Sequence, residues 1–390
     1  MKRLLICAAL LPSYAVAKES LPLEHVLVSV PIHKTQAETA LPVTVLSGEE
    51  LQRQAAATIG ETLGDMPGIA NASFGPGVGR PVIRGQQGPR AVTLQNGTLS
   101  ADVSSLSPDH SVTVEALLAD SIEVIRGPAT LLYGGGAIGG VVNVIDNRVP
   151  RSAIDGTEGA IEYRRDTASD MDVGTFRLEA GNGESVLHIS GTARDFNDLE
   201  VPGNPLIEEE AHEEGEAHDH DDDMDVEGRI PNTAGDASMF TIGASHHLGD
   251  DGFAGFSVSH LETVYGVPAG SHNHSHDDEH DHDDEHGDEH GHDDDMHDDE
   301  DHAGEEEGEE QISLDVEQTR YDLLFHLHDP MQGFEALRTF VTYTDYQHVE
   351  LEGTEEGTLF DRETWQTRIE LVHKPILGAH GVVRHAMARG

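Results

Sequence analysis

The sequence is poor in cysteine: Cys7 is the only one in 390 residues. Lys2 and Arg3, a following apolar run and small residues at 15–17 predict a secretory signal peptide over residues 1–17, which removes Cys7 from the mature chain. Without a thiol, disulfides and thiolate metal sites are excluded. Any metal site must therefore consist of His, Asp and Glu side chains.

Positive charge and long apolar runs are also scarce. There are 23 Lys and Arg against 74 Asp and Glu, a formal net charge of −51, and a charge of this sign excludes nucleic acid as a general partner. No segment has about 18 consecutive apolar residues, the length that a transmembrane helix needs. We find no arrangement of nucleophile, base and acid, so we predict that the protein is not an enzyme. An exported soluble protein and a membrane β-barrel are the two classes that remain.

Histidine and acidic residues are concentrated in one tract. From Ser271 to His302 there are ten histidines and sixteen Asp or Glu, with no Lys or Arg. Neutral imidazole and carboxylate are ligands of zinc, nickel and copper, and a plain acidic linker has no use for histidine. We predict a metal-collecting loop that imposes no single coordination geometry. Its candidate ligands are His272, His274, His276, His280, His282, His286, His290, His292, His297 and His302. A second acidic segment carries His212, His218 and His220.

The segment 157–390 has the pattern of antiparallel strands. Strands are predicted at 158–165, 173–180, 185–195, 238–248, 253–264, 313–328, 335–350 and 362–373. They are joined alternately by tight turns, at 181–184, 249–252 and 329–333, and by long polar loops, at 197–237, 265–312 and 351–361. Short turns on one side and long loops on the other are typical of outer-membrane barrels. The pattern predicts a membrane β-barrel with the two acidic, histidine-containing loops 197–237 and 265–312 outside the cell.

The preceding segment, 41–150, has a mixed α+β character with one helix predicted around 49–57. Its run from Asp120 to Asp146, SIEVIRGPATLLYGGGAIGGVVNVI between the two aspartates, resembles the plug-domain signature of TonB-dependent outer-membrane receptors. The words PVTVLSGEEL, TIGETLGDMPGI and RPVIRGQQGPR resemble it as well. The resemblance implies a plug inside a barrel of about twenty-two strands, of which this chain has room for only eight or nine. We therefore expect the chain to be the N-terminal portion of such a receptor.

The same resemblance implies a cellular location and a protein partner. The protein is expected in the outer membrane of a Gram-negative cell, in contact with its lipid, with the plug and the N-terminal segment 18–40 facing the periplasm. The stretch 23–30, LEHVLVSV, is the expected TonB box, which pairs as an added strand with the TonB–ExbB–ExbD energising complex. Its contact residues are expected to be Val26, Leu27, Val28, Ser29 and Val30.

Within this family the sequence resembles the ZnuD-type zinc receptors most specifically. The shared words include VIRGQ at 82–86, SPDH at 107–110, YGVPAGSH at 265–272 and DYQHVE at 345–350. The resemblance implies that zinc is the transported ligand and that Asp109 and His110 of the plug bind it together with Glu350 of the barrel wall. Strand alternation puts His348 on the same lumen-facing side as Glu350, so His348 is either a further ligand or a lumen-facing polar residue.

The sequence thus predicts a TonB-dependent receptor that imports zinc into the periplasm. Copper, nickel and cobalt accept the same ligands and remain alternatives. Two other functions stay open: a TonB-dependent receptor for haem or a metal chelate, although the FRAP and NPNL words of haem receptors are absent, and a surface protein that only buffers metal.

The histidine-rich tract makes a prediction about pH. Imidazole must be neutral to bind a metal ion, and its ordinary pKa is about 6.5. Zinc binding by a peptide of residues 265–312 should therefore weaken sharply between pH 7.5 and pH 5.5, as measured by titration calorimetry. Equal binding at both pH values would mean that histidine is not the operative ligand.

Overall fold

A computed structural model describes residues 42–134, 136–204, 228–268, 311–376 and 379–390. The predicted signal peptide, the TonB-box residues Val26 to Val30, and the histidines predicted in both acidic loops lie outside the described residues. No described helix is both long enough and apolar enough to cross a membrane. The described chain forms a small α+β domain and a large antiparallel sheet.

The first domain contains nine regular elements. They are β1 (Val43–Ser47), α1 (Gly48–Gln54), α2 (Ile59–Leu63), β2 (Ile69–Ser73), β3 (Gly79–Ile83), β4 (Ala91–Gln95), β5 (Thr98–Leu99), β6 (Ser121–Ile125) and β7 (Gly140–Ile145). Five of the strands form one sheet in the order β1-β6-β7-β4-β5, and β2 pairs with β3. The pairing of β4 with β7 is parallel, and the other pairs are antiparallel. The helix predicted around 49–57 corresponds to α1, which ends at Gln54, and α2 is a second helix that was not predicted.

The core of this domain is aliphatic. Leu51 of α1 and Leu63 of α2 pack against Ile122, Val142 and Val144 of the central strands, and all five are at most 3 % exposed. The central strands β6 and β7 are buried on both faces, so they lack the alternation of a half-exposed strand. Their second face packs on other residues of this domain, Val43, Leu94 and Ala129 among them.

The rest of the described chain forms the large antiparallel sheet. Its strands are β8 (Asp155–Asp166), β9 (Met171–Asn182), β10 (Ser185–Phe196), β13 (Gly235–His247), β14 (Gly252–Gly266), β15 (Ile312–His328), β16 (Phe334–Glu352), β17 (Glu355–Ile376) and β18 (Ala379–Arg389). Two short strands, β11 (Leu199–Glu200) and β12 (Arg229–Ile230), pair outside it. All nine strands follow one another in chain order, and each pair of neighbours is antiparallel. The predicted fold class, a plug followed by eight or nine antiparallel barrel strands, is confirmed.

One predicted loop is wrong. Residues 351–361, predicted as a long polar loop, belong instead to the ends of β16 and β17, which meet in a tight turn at Gly353. The stretch is polar because its residues are largely exposed beyond the plug, and polarity alone did not distinguish an exposed strand from a loop. The correction matters because it extends β17 alongside the end of β16.

Side chains alternate between the two faces of the sheet. On β16 the even positions from Ala336 to His348 are mostly buried against the plug, and the odd positions point away from it. On the outward face, Tyr321, Tyr343 and Trp365 lie side by side in register, with ring centroids 5.9 and 4.8 Å apart. An aromatic row of this kind is typical of the membrane interface of an outer-membrane barrel.

A two-residue turn of the plug contacts the barrel wall. Asn96 and Gly97 join β4 to β5 with φ of +52° and +83°, the left-handed conformation that the tightest hairpins require. The Arg368 guanidinium of the wall donates a hydrogen bond to the Gly97 carbonyl. The tip of this hairpin is therefore bound directly by the barrel.

Strand β5 follows that turn, and the wall binds both the amide and the carbonyl of its residue Leu99. The Gln366 side-chain carbonyl accepts a hydrogen bond from the Leu99 amide at 2.7 Å, and its amide donates to the Leu99 carbonyl at 3.0 Å. The Arg320 guanidinium donates to the same carbonyl at 3.0 Å. Wall side chains thus take the place of a neighbouring strand for β5.

A buried ion network lies beside this contact. Arg148, at the end of the plug, binds Asp146 at 2.8 Å and reaches Asp322 of the wall at 3.4 Å, and Asp322 binds Arg320 at 3.0 Å. Burial alone would raise the pKa of Asp146, but the charge and hydrogen bonds of Arg148 lower that pKa to about 2. The carboxylate therefore stays ionised at any physiological pH.

Gly97 provides a test of the plug anchor. A Cβ atom at this position would overlap the Arg368 guanidinium, whereas a Cβ at Gly85, where φ is +74°, would meet open space. Left-handed backbone should cost about 1–2 kcal/mol in either alanine variant. In Gly97→Ala the Arg368 guanidinium must also move and give up its hydrogen bond to the Gly97 carbonyl, which should cost roughly 1–3 kcal/mol more. Thermal unfolding in detergent measures both, and equal losses of stability would contradict the role of the Gly97 contact.

Candidate metal site

The loop between β5 and β6 carries the predicted plug ligands. Asp102 organises it: one carboxylate oxygen accepts hydrogen bonds from the Ser104 amide at 3.1 Å and hydroxyl at 2.6 Å. The other oxygen accepts from the Thr113 amide at 3.1 Å and hydroxyl at 3.2 Å. Asp102 is 5 % exposed, so these bonds are shielded from water and close the loop into a defined shape.

A buried arginine supports the same loop from below. The Arg80 guanidinium donates hydrogen bonds to the carbonyls of Ser104 and Ser107, the latter at 2.9 Å. Burial lowers the pKa of Arg80, and the nearby carboxylates of Asp109 and Asp102 counteract part of that shift. Arg80 therefore places a positive charge beneath the loop and next to its acidic residues.

Asp109 and His110 form a hydrogen-bonded pair at the tip. Asp109 Oδ1 lies 3.1 Å from His110 Nδ1 and accepts a hydrogen bond from the Ser107 hydroxyl. Burial would raise the pKa of Asp109, yet the hydrogen bonds from His110 and Ser107 hold it well below its ordinary value near 4. An ionised Asp109 on Nδ1 fixes the imidazole so that Nε2 is the nitrogen that points away from the pair.

The opposite side of the site is His348 of β16. Its Nε2 lies 3.4 Å from His110 Nε2, with the two rings nearly perpendicular at 72°. The His348 ring is stacked on Phe360 of β17, with centroids 5.3 Å apart and 14° between their planes, and is 5 % exposed. The plug loop and the barrel wall thus each bring one imidazole to a common point.

The distance between those nitrogens fits a metal ion. Two nitrogens that bind one tetrahedral zinc at about 2.0–2.1 Å lie about 3.3–3.4 Å from each other. The Nε2 atoms of His110 and His348 have this separation. The carboxylate of Asp109 on the far nitrogen of His110 corresponds to the carboxylate–histidine–zinc arrangement of many zinc sites.

Glu350 is near this point but is not part of a preformed cluster. It lies two residues beyond His348 on the same face of β16, about 7 Å along the strand, and is half-buried. Among the described residues, only His260, Glu262 and Glu317 bring three ligand atoms within 4.8 Å of one another. That trio is on the outward face of β14 and β15, away from the plug. The structure therefore brings together Asp109, His110 and His348, and leaves Glu350 adjacent to them.

Two aromatic residues of the site were not predicted as site residues. The Tyr265 hydroxyl accepts a hydrogen bond from the Ser111 amide at 2.9 Å and donates to the Asp109 carbonyl at 3.3 Å, so it holds the backbone on both sides of His110. Phe360 fell in the wrongly predicted loop, and only the paired register of β16 and β17 brings it opposite His348. Both contacts depend on the fold and not on any local motif.

Tyr265 makes the next prediction. Tyr265→Phe leaves the buried Ser111 amide without its acceptor, a change that costs about 1–3 kcal/mol. The Ser111 amide should then exchange with deuterium faster than in the unmodified protein, as read by mass spectrometry of the 107–114 region. Tyr343→Phe, on the outward face, is the control and should leave that exchange rate unchanged. Unchanged exchange in Tyr265→Phe would mean that the loop does not depend on the barrel.

Comparison with known proteins agrees with this architecture. Residues 35–141 match the TonB-dependent receptor plug domain. The chain is 35 % identical over 111 residues to a hemin receptor of Yersinia pestis, an alignment that covers 28 % of this chain and 16 % of that protein. It is 26 % identical over 297 residues to the vitamin B12 transporter BtuB of Photobacterium profundum, covering 68 % of this chain and 46 % of that protein.

Solved structures share the fold at low sequence identity. The copper transporter OprC superposes with a TM-score of 0.61 at 14 % identity, over 86 % of this chain and 44 % of that one. The siderophore receptor PirA of Pseudomonas aeruginosa superposes with a TM-score of 0.55 at 15 % identity, over 90 % of this chain and 48 % of that one. The chain thus spans less than half of the length of each of these relatives. Residues 35–141 thus match the TonB-dependent receptor plug domain, and the nine antiparallel strands that follow share the barrel fold of these solved structures.

Proposed function

We propose that the protein is a TonB-dependent outer-membrane receptor that imports zinc into the periplasm. The proposal is carried by one observation: the Nε2 atoms of His110 on the plug and His348 on the wall are 3.4 Å apart, the spacing of two ligands on one tetrahedral zinc. A site shared between plug and wall responds to any movement of the plug. Binding and release of the ion are then coupled to that movement.

The roles of the acidic residues differ in this proposal. Asp109 acts through His110, because its Oδ1 lies 3.1 Å from Nδ1 and selects the tautomer in which Nε2 is free to bind metal. Glu350 supplies a carboxylate ligand when its side chain turns towards the two imidazoles. A set of two imidazoles and one carboxylate leaves one coordination position open, which favours exchange of the ion.

The remaining steps follow from charge and order along the chain. The histidine-rich loop 265–312, on the extracellular side, raises the local concentration of cations near the mouth of the barrel. The ion then passes to the defined site, and TonB–ExbB–ExbD, acting on residues 23–30, remodels the plug and opens a path to the periplasm. Zinc is the cargo here and not a resident cofactor.

A haem or metal-chelate receptor is the second candidate. It is favoured by the 35 % identity to a hemin receptor, which falls on a segment of 111 residues. Histidine also binds haem iron, so the residues of the site do not discriminate alone. Growth of a receptor-dependent strain distinguishes the two functions: rescue by zinc supports the first proposal, and rescue by haem but not by zinc supports the second.

Substitutions in the site and deletion of the histidine-rich loop should affect zinc uptake differently. In cells that depend on this receptor, Asp109→Ala with His110→Ala should abolish uptake of radiolabelled zinc. His348→Gln should lower site affinity at least about tenfold, since loss of even an outer partner typically costs about 10–100-fold. Deletion of 272–302 should slow uptake mainly at low zinc concentration.

Two controls accompany that experiment. His385→Gln, on the exposed face of β18, should leave uptake unchanged. Collapse of the proton gradient should stop uptake by the unmodified receptor. Equal and mild effects of the site and loop variants would contradict the assignment of His110 and His348.

A further inference from the structure

The barrel wall has a second group of histidines at its other end. A cavity of about 500 Å³ opens there, beside the short turns, and its lining includes His247, His326, His328, Asp250 and Glu370. It lies on the plug side of the sheet. The site of His110 and His348 makes no use of these residues.

His326 and His328 have the spacing of a chelating pair. They are separated by one residue on β15, so both imidazoles leave the same face of the strand, and their ring centroids are 4.4 Å apart. Two imidazoles on adjacent same-face positions of one strand can bind one ion without any movement of the backbone. Neutral imidazole is a preferred ligand of zinc and related metals.

The lining of the cavity offers His247 and Asp250 as a third ligand beside His326 and His328. Phe253 lies between His247 and His326, with its ring centroid 5.5 Å from the first and 5.7 Å from the second. It screens His247 from the pair. Asp250 also lines the cavity: it is carried by the short turn before β14, and the neighbouring Gly252 pairs with Leu327, the residue between the two histidines. The ligand atoms of Asp250 and the two imidazoles do not all lie within 4.8 Å of one another, so the Asp250 side chain must turn towards the histidines to bind the same ion.

The other charged groups of the cavity are already paired. Glu370 lies 3.6 Å from Arg338 and also binds Arg384. Arg151 donates a hydrogen bond to the Asn96 side chain at 2.8 Å. The carboxylate of Glu370 therefore neutralises arginine and is not the ligand, and Asp250 is the acid left for a cation.

We infer that His326, His328 and Asp250 form a second metal-binding site, for zinc or a similar divalent transition metal, at the short-turn end of the lumen. The inference rests on the proposed function, because it gives the imported ion a second position on the same wall. Val316, which pairs with His348, is ten residues before His326 on β15, so the two sites are roughly 33 Å apart along the strand. Three protein ligands leave an open position and allow the ion to leave again.

Residue-resolved footprinting tests the second site. The full chain without 272–302 is purified in detergent and treated with diethylpyrocarbonate, which modifies neutral histidine, across a zinc titration, and each peptide is quantified by mass spectrometry. Zinc should protect His326 and His328 together. His328→Gln should raise the zinc concentration that half-protects His326 at least about tenfold, because it removes a ligand of the same ion. Asp250→Asn should weaken the protection of both histidines.

The matched control is His246→Gln. His246 is next to His247 but on the outward face of β13, where it contacts Ser185 at 2.9 Å, so its replacement should leave the protection of His326 and His328 unchanged. Protection of His326 and His328 should also persist in Asp109→Ala with His110→Ala, because this double variant removes only the site of His110 and His348.

The outcomes separate the two sites. Protection of His110 and His348 without protection of His326 and His328 would overturn the second site and leave the proposed function standing. Protection of His326 and His328 without protection of His110 and His348 would instead contradict the site of His110 and His348. Unchanged protection of His326 in His328→Gln would also overturn the inference, since the two imidazoles would then not share an ion.

Discussion

The plug is held in the barrel by buried polar groups of the two parts that satisfy one another. Wall side chains bind the backbone of Leu99, and Arg148 joins Asp146 of the plug to Asp322 of the wall. Breaking a buried ion pair by removing one partner typically costs about 3–5 kcal/mol. The plug therefore keeps a fixed height and orientation, and this placement brings Nε2 of His110 within 3.4 Å of Nε2 of His348.

Much of the fold was predictable because the barrel strands alternate and their connections differ in length. The same alternation predicted that His348 and Glu350 share the inward face. The prediction of a loop at 351–361 was wrong because exposed strands beyond the plug carry the same polar residues as a loop. Without the pairing of His348 with Phe360, the sequence gives no reason to prefer His348 over Glu350 as the partner of His110.

The geometry changes the emphasis within the candidate site. The resemblance to known zinc receptors pointed to Asp109, His110 and Glu350 as ligands, whereas the contacts pair His110 with His348 and use Asp109 to orient the imidazole. These roles are compatible with one site, because an orienting carboxylate and a direct ligand contribute in different ways. Under the proposed function the tract and the site have separate roles, because a collecting segment needs many ligands and a selective site needs a few held at fixed distances.

The order of strands in the plug sheet has a mechanical consequence. β1 is at one edge and has a single neighbour, β6, whereas β5 is at the opposite edge and is bound by the barrel. A force applied to the chain before Val43 reaches β1 first, and β1 is paired with β6 at the five positions from Val43 to Ser47. The sheet would then come apart from its β1 edge while the β5 edge stays attached to the wall. Such a plug can open and close again without leaving the barrel.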